Sequence, residues 1–327
     1  MLDQSASTPA AETTRWIAAV THAVENGDEA AFRAQFCEDA HWRDLLAFTW
    51  QLKTISPPQD ALGALWKALQ GLSNLSLAND RTAPQNTARA GRECLEAFLD
   101  FESPAGHCTG VVRLLPFTDG PRAWTLMTAL DEIHHHPEIT GQERPKGDSY
   151  SRDFRGPNWL DLRASDVAYK DRDPAVIVVG GGQAGLAIAA RLRHLGVDTL
   201  IVDREARIGD NWRLRYHALT LHNQVQVNHM PYMPFPASWP TYIPKDKLAN
   251  WFEAYVEAME LNFWTSTDFL GGNYDEAAGR WDVTLRLADG SDRVMHPNHV
   301  VMATGVSGIP NMPDIATLDQ FAGPVMH

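Results

Sequence analysis

A chain of 327 residues with 44% hydrophobic content has enough apolar material for two cores, which argues against global disorder. Its formal net charge of −13 excludes the electrostatic footprint of a non-specific binder of nucleic acid or anionic membrane, and no apolar run approaches the roughly 20 residues of a membrane span. Three widely spaced cysteines, Cys37, Cys94 and Cys108, make neither a disulfide framework nor a metal motif, so a reducing compartment, the cytoplasm, is expected.

Met1 to Thr14 is polar, rich in Ala, Ser and Thr, and lacks an apolar core. It predicts a frayed tail over residues 1–13 and not a signal peptide. From there to about residue 136 the pattern is helices followed by an antiparallel meander, an α+β domain. Trp16, Ile17, Val20 and Val24 recur at helical spacing until Asn26-Gly27, and Asp28 is placed to cap a second helix carrying Phe32 and Phe36. A third helix is expected from Asp60, with Leu62, Trp66 and Leu69. Three strand-like runs follow, Cys94 to Phe101, Cys108 to Leu115 and Ala123 to Ile133, separated by Ser103-Pro104-Ala105-Gly106 and Thr118-Asp119-Gly120-Pro121. His134-His135-His136 invites a metal reading. Adjacent strand residues point to opposite faces, so a solvated strand end is preferred and no metal site is expected. Asp39, His41 and Asp44 are an acid/base candidate set that helical spacing would scatter into a polar rim. Residues 137–174 are rich in Arg, Asp, Gly and Pro and read as a linker, pinned through Trp159 and Leu160.

The third region, 175–327, is α/β. Ala175-Val176-Ile177-Val178-Val179 predicts a buried strand, and Gly180-Gly181-Gly182-Gln183-Ala184-Gly185 follows it in G-x-G-x-x-G register. A helical run from Leu186 to Leu195 then stops at Gly196. In such a unit Gly180 permits the tight turn, Gly182 lets backbone approach a pyrophosphate and Gly185 lets helix pack on strand. The pyrophosphate sits over N–H groups that have no partner inside the helix. The next strand, Thr199 to Val202, ends in Asp203, where a carboxylate meets a ribose hydroxyl pair. Together these predict dinucleotide binding. Further on, Asp289-Gly290 between alternating runs predicts a hairpin. His299 to Met302 predicts a strand ending in Ala303-Thr304-Gly305, where backbone can approach a nucleotide closely.

These residues, together with Gly209-Asp210-Asn211-Trp212, Arg215-Tyr216-His217-Ala218-Leu219, Pro231-Tyr232-Met233-Pro234-Phe235-Pro236, Pro240-Thr241-Tyr242 and Phe321-Ala322-Gly323-Pro324-Val325-Met326-His327, resemble the class B flavin-dependent monooxygenases, a group that includes the flavin-containing, YUCCA-type and Baeyer–Villiger enzymes. The resemblance runs from about Ala175 to His327 and implies a partial Rossmann-type FAD-binding domain. His327 would open the family's F-x-G-x-x-x-H signature. The NADPH domain that follows in relatives does not appear in these residues, so a fragment of a longer enzyme or an interrupted gene product is expected. The implied cofactors are FAD and NADPH, the implied partners dioxygen and a small organic substrate. The implied chemistry is oxygen transfer through a C4a-peroxyflavin. Carried over by position, the cofactor-binding residues are Gly180, Gly182, Gln183, Ala184, Gly185, Asp203, Arg204, Asn211, Trp212, His222, Asn223, Thr304 and Gly305, with Asn223 in a catalytic role. The Met230 to Pro240 run is expected either to cover the flavin or simply to pack. Residues 14–136 resemble the SnoaL-like/NTF2-like cone fold, on helix–helix–strand order and on Phe36-Cys37-Glu38-Asp39-Ala40-His41-Trp42-Arg43-Asp44. That likeness implies a packing or dimerisation module ahead of catalysis. The rival readings are an inactive flavin- or ligand-binding fragment with the cone as receptor, and a disulfide-type flavin reductase. The second is rejected because no cysteine lies beyond Cys108.

Overall fold

The computed structural model describes residues 8–144, 154–306, 308 and 311–325, which fall into two compact units, Met1–Pro137 and Glu138–His327. In the first, helix α1 (Pro9–Glu25) begins five residues earlier than composition suggests. Thr8 accepts from the Ala11 N–H and a proline occupies the first turn, so the expected tail is helical from Pro9 onward. Residues 1–7 of that tail lie outside the described residues. Asp28 caps the five-residue helix α2 (Glu29–Arg33), and Asp60 caps α3 (Ala61–Ala68). Phe36 does not continue α2. It opens strand β1 (Phe36–Leu45), in which Ala40, Trp42 and Asp44 are buried on alternate positions. That period of two overrides the expected helix end.

Strand β2 (Leu52–Ile55) pairs with β1, and β3 (Ser73–Leu77), β4 (Gln85–Arg89), β5 (Arg92–Glu102), β6 (Gly106–Leu115) and β7 (Arg122–Ile133) complete a seven-stranded sheet. The three expected meander strands are β5, β6 and β7. The sheet is not purely antiparallel: β1 runs parallel to β7, with His41 opposite Thr125. Trp16, Phe32, Trp42, Leu65, Leu99, Val112 and Leu114 fill the space between its inner face and the helices.

Asp39, His41 and Asp44 have separate partners. Asp39 pairs with Arg92 at 2.9 Å and His41 Nδ1 lies 2.8 Å from Ser56 Oγ. Asp44 is wholly buried, not part of a polar rim, because it has donors enough to replace water. Its Oδ1 accepts from Thr128 Oγ1 at 2.7 Å, and its Oδ2 from the Thr49 hydroxyl at 2.7 Å and the Thr49 N–H at 2.8 Å. His134 to His136 follow the end of β7 in a turn, and no cluster of metal-ligating side chains occurs among the described residues.

Glu96, on the opposite face of the sheet, accepts from Arg89 Nη2 at 2.6 Å and from Arg113 Nε at 2.8 Å with its own side chain only 7% exposed. The Arg89 hydrogen bond, followed by that of Arg113, holds its carboxyl below the usual range against the opposing cost of burial. A depressed carboxylate stabilises the fold above its unfolded pKa and loses that contribution as pH falls through the folded one. Glu96→Gln is therefore expected to lower stability at neutral pH by about 1–3 kcal/mol. It should also flatten the acid limb of a plot of unfolding midpoint against pH; an unchanged acid limb contradicts this.

In the second unit the expected linker holds an element of its own, helix α4 (Trp159–Ala168), started by a capping box in which Asn158 and Asp161 bond each other's backbone N–H. Trp159 Nε1 donates to Glu260 Oε1 at 2.7 Å, as pinning requires, whereas Leu160 is exposed. Tyr169 is fully buried. Its hydroxyl donates to Asp198 Oδ1 at 2.6 Å and accepts from Asn262 Nδ2 at 2.8 Å, and burial pushes its pKa up.

Beyond it lie β8 (Val176–Val179), α5 (Gln183–His194), β9 (Thr199–Val202), α6 (Asp210–Arg213), β10 (Thr220–Gln224), β11 (Tyr242–Pro244), α7 (Lys245–Ala258), β12 (Asn262–Trp264), β13 (Asp268–Asp275), β14 (Arg280–Arg286), β15 (Asp292–Met295) and β16 (His299–Met302). Strands β12, β9, β8 and β16 form a parallel sheet in that order. All four residues of both β8 and β9 are buried, as a sheet covered on both faces demands. The expected hairpin is the β14–β15 pair of a separate three-stranded sheet. No helix among the described residues is long and apolar enough to cross a membrane.

Candidate dinucleotide-binding site

The glycines between β8 and α5 are required by their surroundings. Gly180 has φ +106°, and a Cβ there would lie 2.6 Å from the Ala303 carbonyl oxygen at the end of β16. A Cβ on Gly185 would lie 1.9 Å from the Gly180 carbonyl oxygen, so the first turn of α5 sits directly on the bend below it. Gly182 is the N-cap of α5 and no side chain caps it. A Cβ there would meet only the Asn211 amide nitrogen, at 3.1 Å. The turn is thus closed by main chain on the sheet side, whereas at Gly182 only the amide end of a side chain stands in the way. Behind it the first N–H groups of α5, those of Gln183 and Ala184, have no partner inside the helix and carry the positive end of its dipole.

Asp203 follows β9 and turns to the glycines. Its Oδ2 accepts from the Gly181 N–H at 2.6 Å and its Oδ1 from the Glu205 N–H at 2.9 Å. Acid and turn therefore form one constellation, and a carboxylate retains acceptor capacity beyond these two bonds. Asn211, on α6, brings its side chain to Gly182. Its Oδ1 is buried with no hydrogen-bonding partner among the described residues, an acceptor in need of a donor. A cradle free of main chain at Gly182, unpaired helix N–H groups, a carboxylate and an orphaned acceptor together fit a dinucleotide carrying diphosphate and hydroxyl groups.

Thr304 abuts the turn, its N–H nitrogen 3.3 Å from the Cβ position of Gly180; Gly305 is exposed with φ +71°. Arg204 is exposed and donates to the Gly308 carbonyl. Trp212 packs half-buried against the core formed by Leu186, Ile243 and Phe252, with the Arg215 guanidinium 5.6 Å from its ring centre. His222 and Asn223 are exposed on β10, in a two-stranded sheet with β11, and no hydrogen bond among the described residues joins them to the glycine turn. The Met230 to Pro240 run packs in part, with Pro234, Pro236 and Pro240 exposed. Met230 and Phe235 are buried, and Phe235 stacks on Trp239 at 4.8 Å beside Trp251 of α7. Met326 and His327 lie outside the described residues. Sequence reasoning missed Phe263 of β12, whose ring stands beside Gly181 and Asp203. No local signal marks it, because only the parallel pairing of β12 with β9 brings it there.

A family model described as an NAD(P)-binding Rossmann-like domain matches residues 178–233, the stretch that holds the glycine turn, Asp203 and Asn211. Indole-3-pyruvate monooxygenase YUCCA1 of Oryza sativa subsp. japonica is 35% identical over 155 residues, which is 47% of this chain and 37% of that protein. The second unit is similar to part of a flavin monooxygenase. Among solved structures, a flavin-containing monooxygenase from Stenotrophomonas maltophilia matches with 28% identity and a TM-score of 0.40 over 46% of this chain and 44% of its own. A bacillithiol disulfide reductase from Bacillus cereus matches with 19% identity and a TM-score of 0.41 over 43% of each chain. The chain spans less than half the length of the monooxygenases it matches.

Proposed function

We propose that the second unit is the FAD-binding part of an NADPH- and dioxygen-dependent monooxygenase that oxygenates a small organic substrate. The observation that carries this reading is the glycine turn, closed by backbone at positions 180 and 185 and free of it at 182, with Asp203 bonded to it. The likeness to flavin monooxygenases over the same residues supports FAD as the dinucleotide. In this reading the Gly182, Gln183 and Ala184 N–H groups bind the diphosphate, and Asp203 accepts from the adenosine ribose. Asn211 Oδ1 receives its missing donor, Thr304 and Gly305 give close main-chain approach, and Arg204 and Trp212 line the site. His222 and Asn223 serve the flavin side, Asn223 as the catalytic hydrogen-bonding residue. Bound flavin supplies the oxygen activation; the chain's own residues bind, orient and exclude water.

For the first unit we propose an NTF2-like cone that acts in packing or dimerisation. Helix–helix–strand order and the parallel β1–β7 pair support the cone. Only about 20 Å³ of free space remains in the interior between Trp16, Leu99, Phe101 and Leu126, little more than one water needs, which favours packing there, while an open cleft of about 330 Å³ lies beside Arg33, Cys37, Glu38, Asp60 and Leu62.

The test of the second-unit reading is FAD uptake. Purified protein is expected to quench the fluorescence of added FAD at one site. Gly182→Val is expected to weaken binding at least roughly tenfold, about 1.4 kcal/mol, with a much smaller loss of stability than at Gly180 or Gly185, since a Cβ at 182 meets only the Asn211 side chain. A wild-type chain that takes up no FAD sinks the reading.

A further inference from the structure

Gly181 is the one glycine of the turn to which the G-x-G-x-x-G pattern gives no task. It is buried, its N–H donates to Asp203 Oδ2 at 2.6 Å, and a Cβ built on it falls 2.3 Å from Cζ and 2.5 Å from Cε2 of Phe263. The same Cβ would lie 3.1 Å from Asp203 Oδ2. Phe263 is paired with Ile201 in the β12–β9 register, and the next residue, Trp264, accepts from the Asp203 N–H at 3.0 Å through its carbonyl. One short strand therefore supplies the ring and fixes the backbone of the acid. At Gly180 and Gly185 the obstacle to a side chain is main chain; at Gly181 it is an aromatic ring.

We propose that Phe263 is a positioning residue of the nucleotide site: its ring and the Asp203 carboxylate hold Gly181 between them and so fix the turn that presents the start of α5 to a diphosphate. The proposal rests on the dinucleotide reading above. The ring is rigid and packs with the core of the unit, so Gly181 cannot drift toward β12 without displacing it. A methyl group at 181 must push the ring aside, and shortening the ring must relieve that clash.

The experiment compares the full chain with Gly181→Ala, Phe263→Leu, Phe263→Tyr and the Gly181→Ala/Phe263→Leu double variant. The readouts are FAD affinity, ADP affinity and unfolding midpoint. Gly181→Ala is expected to weaken FAD and ADP alike, about tenfold. In the Phe263→Leu background the same change should cost less than about twofold, the non-additivity of residues in contact. Phe263→Tyr, which keeps the ring, should retain wild-type affinity. Equal losses from Gly181→Ala in both backgrounds, or a lowered midpoint with unchanged affinities, overturn the role of Phe263 while leaving FAD binding intact. A wild-type chain that binds neither FAD nor ADP overturns the dinucleotide reading and this role with it.

Discussion

Gly185→Ala is expected to abolish FAD uptake and to destabilise the second unit by about 3 kcal/mol or more, the upper end of what overpacking costs. For a unit of this size that is a fall in its unfolding midpoint of roughly 6–12 °C. The methyl carbon would lie 1.9 Å from the Gly180 carbonyl oxygen, and neither partner is a side chain that can rotate away. Helix α5 would have to lift off β8, taking with it Leu186 and Ala190, which are wholly buried in the core of the sheet. Alanine at 182, where only the Asn211 amide nitrogen comes within 3.1 Å, is the internal control and should fold normally. Calorimetry of the two variants side by side checks the contrast; equal midpoints would refute it.

The second large effect is expected in the first unit. Asp44→Ala should destabilise it by about 3 kcal/mol, the upper end of the cost of leaving buried neutral donors without their acceptor. The carboxylate accepts from the Thr128 and Thr49 hydroxyls and from the Thr49 and Phe48 N–H groups, and Thr128 Oγ1 in turn accepts from Trp42 Nε1 at 3.1 Å. Alanine leaves the buried Thr128 hydroxyl without its acceptor and the half-buried Thr49 and Phe48 N–H groups without theirs. Asp44→Asn keeps the volume and one acceptor but turns an NH2 toward existing donors, so about 1–2 kcal/mol is expected. Urea unfolding followed by tryptophan fluorescence reads both. Indistinguishable midpoints for wild type and Asp44→Ala would show that the network does not contribute as described.

What could be read from the sequence was what chemistry writes locally. The glycine turn needs glycine where backbone meets backbone, Asp28 and Asp60 cap helices that begin one residue later, and Asp289-Gly290 turns a hairpin. Elements with no local signature were misread. The run Phe36 to Leu45 carries Glu38, Asp39 and Asp44, which disguise a strand whose pairing partner β7 lies at the far end of the unit. Strands β3 and β4, Ser73–Leu77 and Gln85–Arg89, are too polar to announce themselves and are held by the edge of β5. The burial of Asp44 is illegible locally because its donor partner Thr128 lies 84 positions away. Within the candidate site the same division holds: Gly180, Gly182, Gly185 and Asp203 follow from the pattern, whereas Phe263 and the orphaned oxygen of Asn211 emerge only when strand order and packing are known.

Tyr169 has a practical consequence for anyone who would transplant the nucleotide-binding unit. A graft opening at Ala175, where the motif-bearing strand begins, would leave behind a phenol ring sealed among Ile177, Leu200, Val283 and Met295. It would strip Asp198 and Asn262 of the hydroxyl they share and bare a greasy hollow along the underside of the sheet. The helix and its cap from Asn158 onward therefore have to travel with the glycine turn if the transplant is to stay soluble.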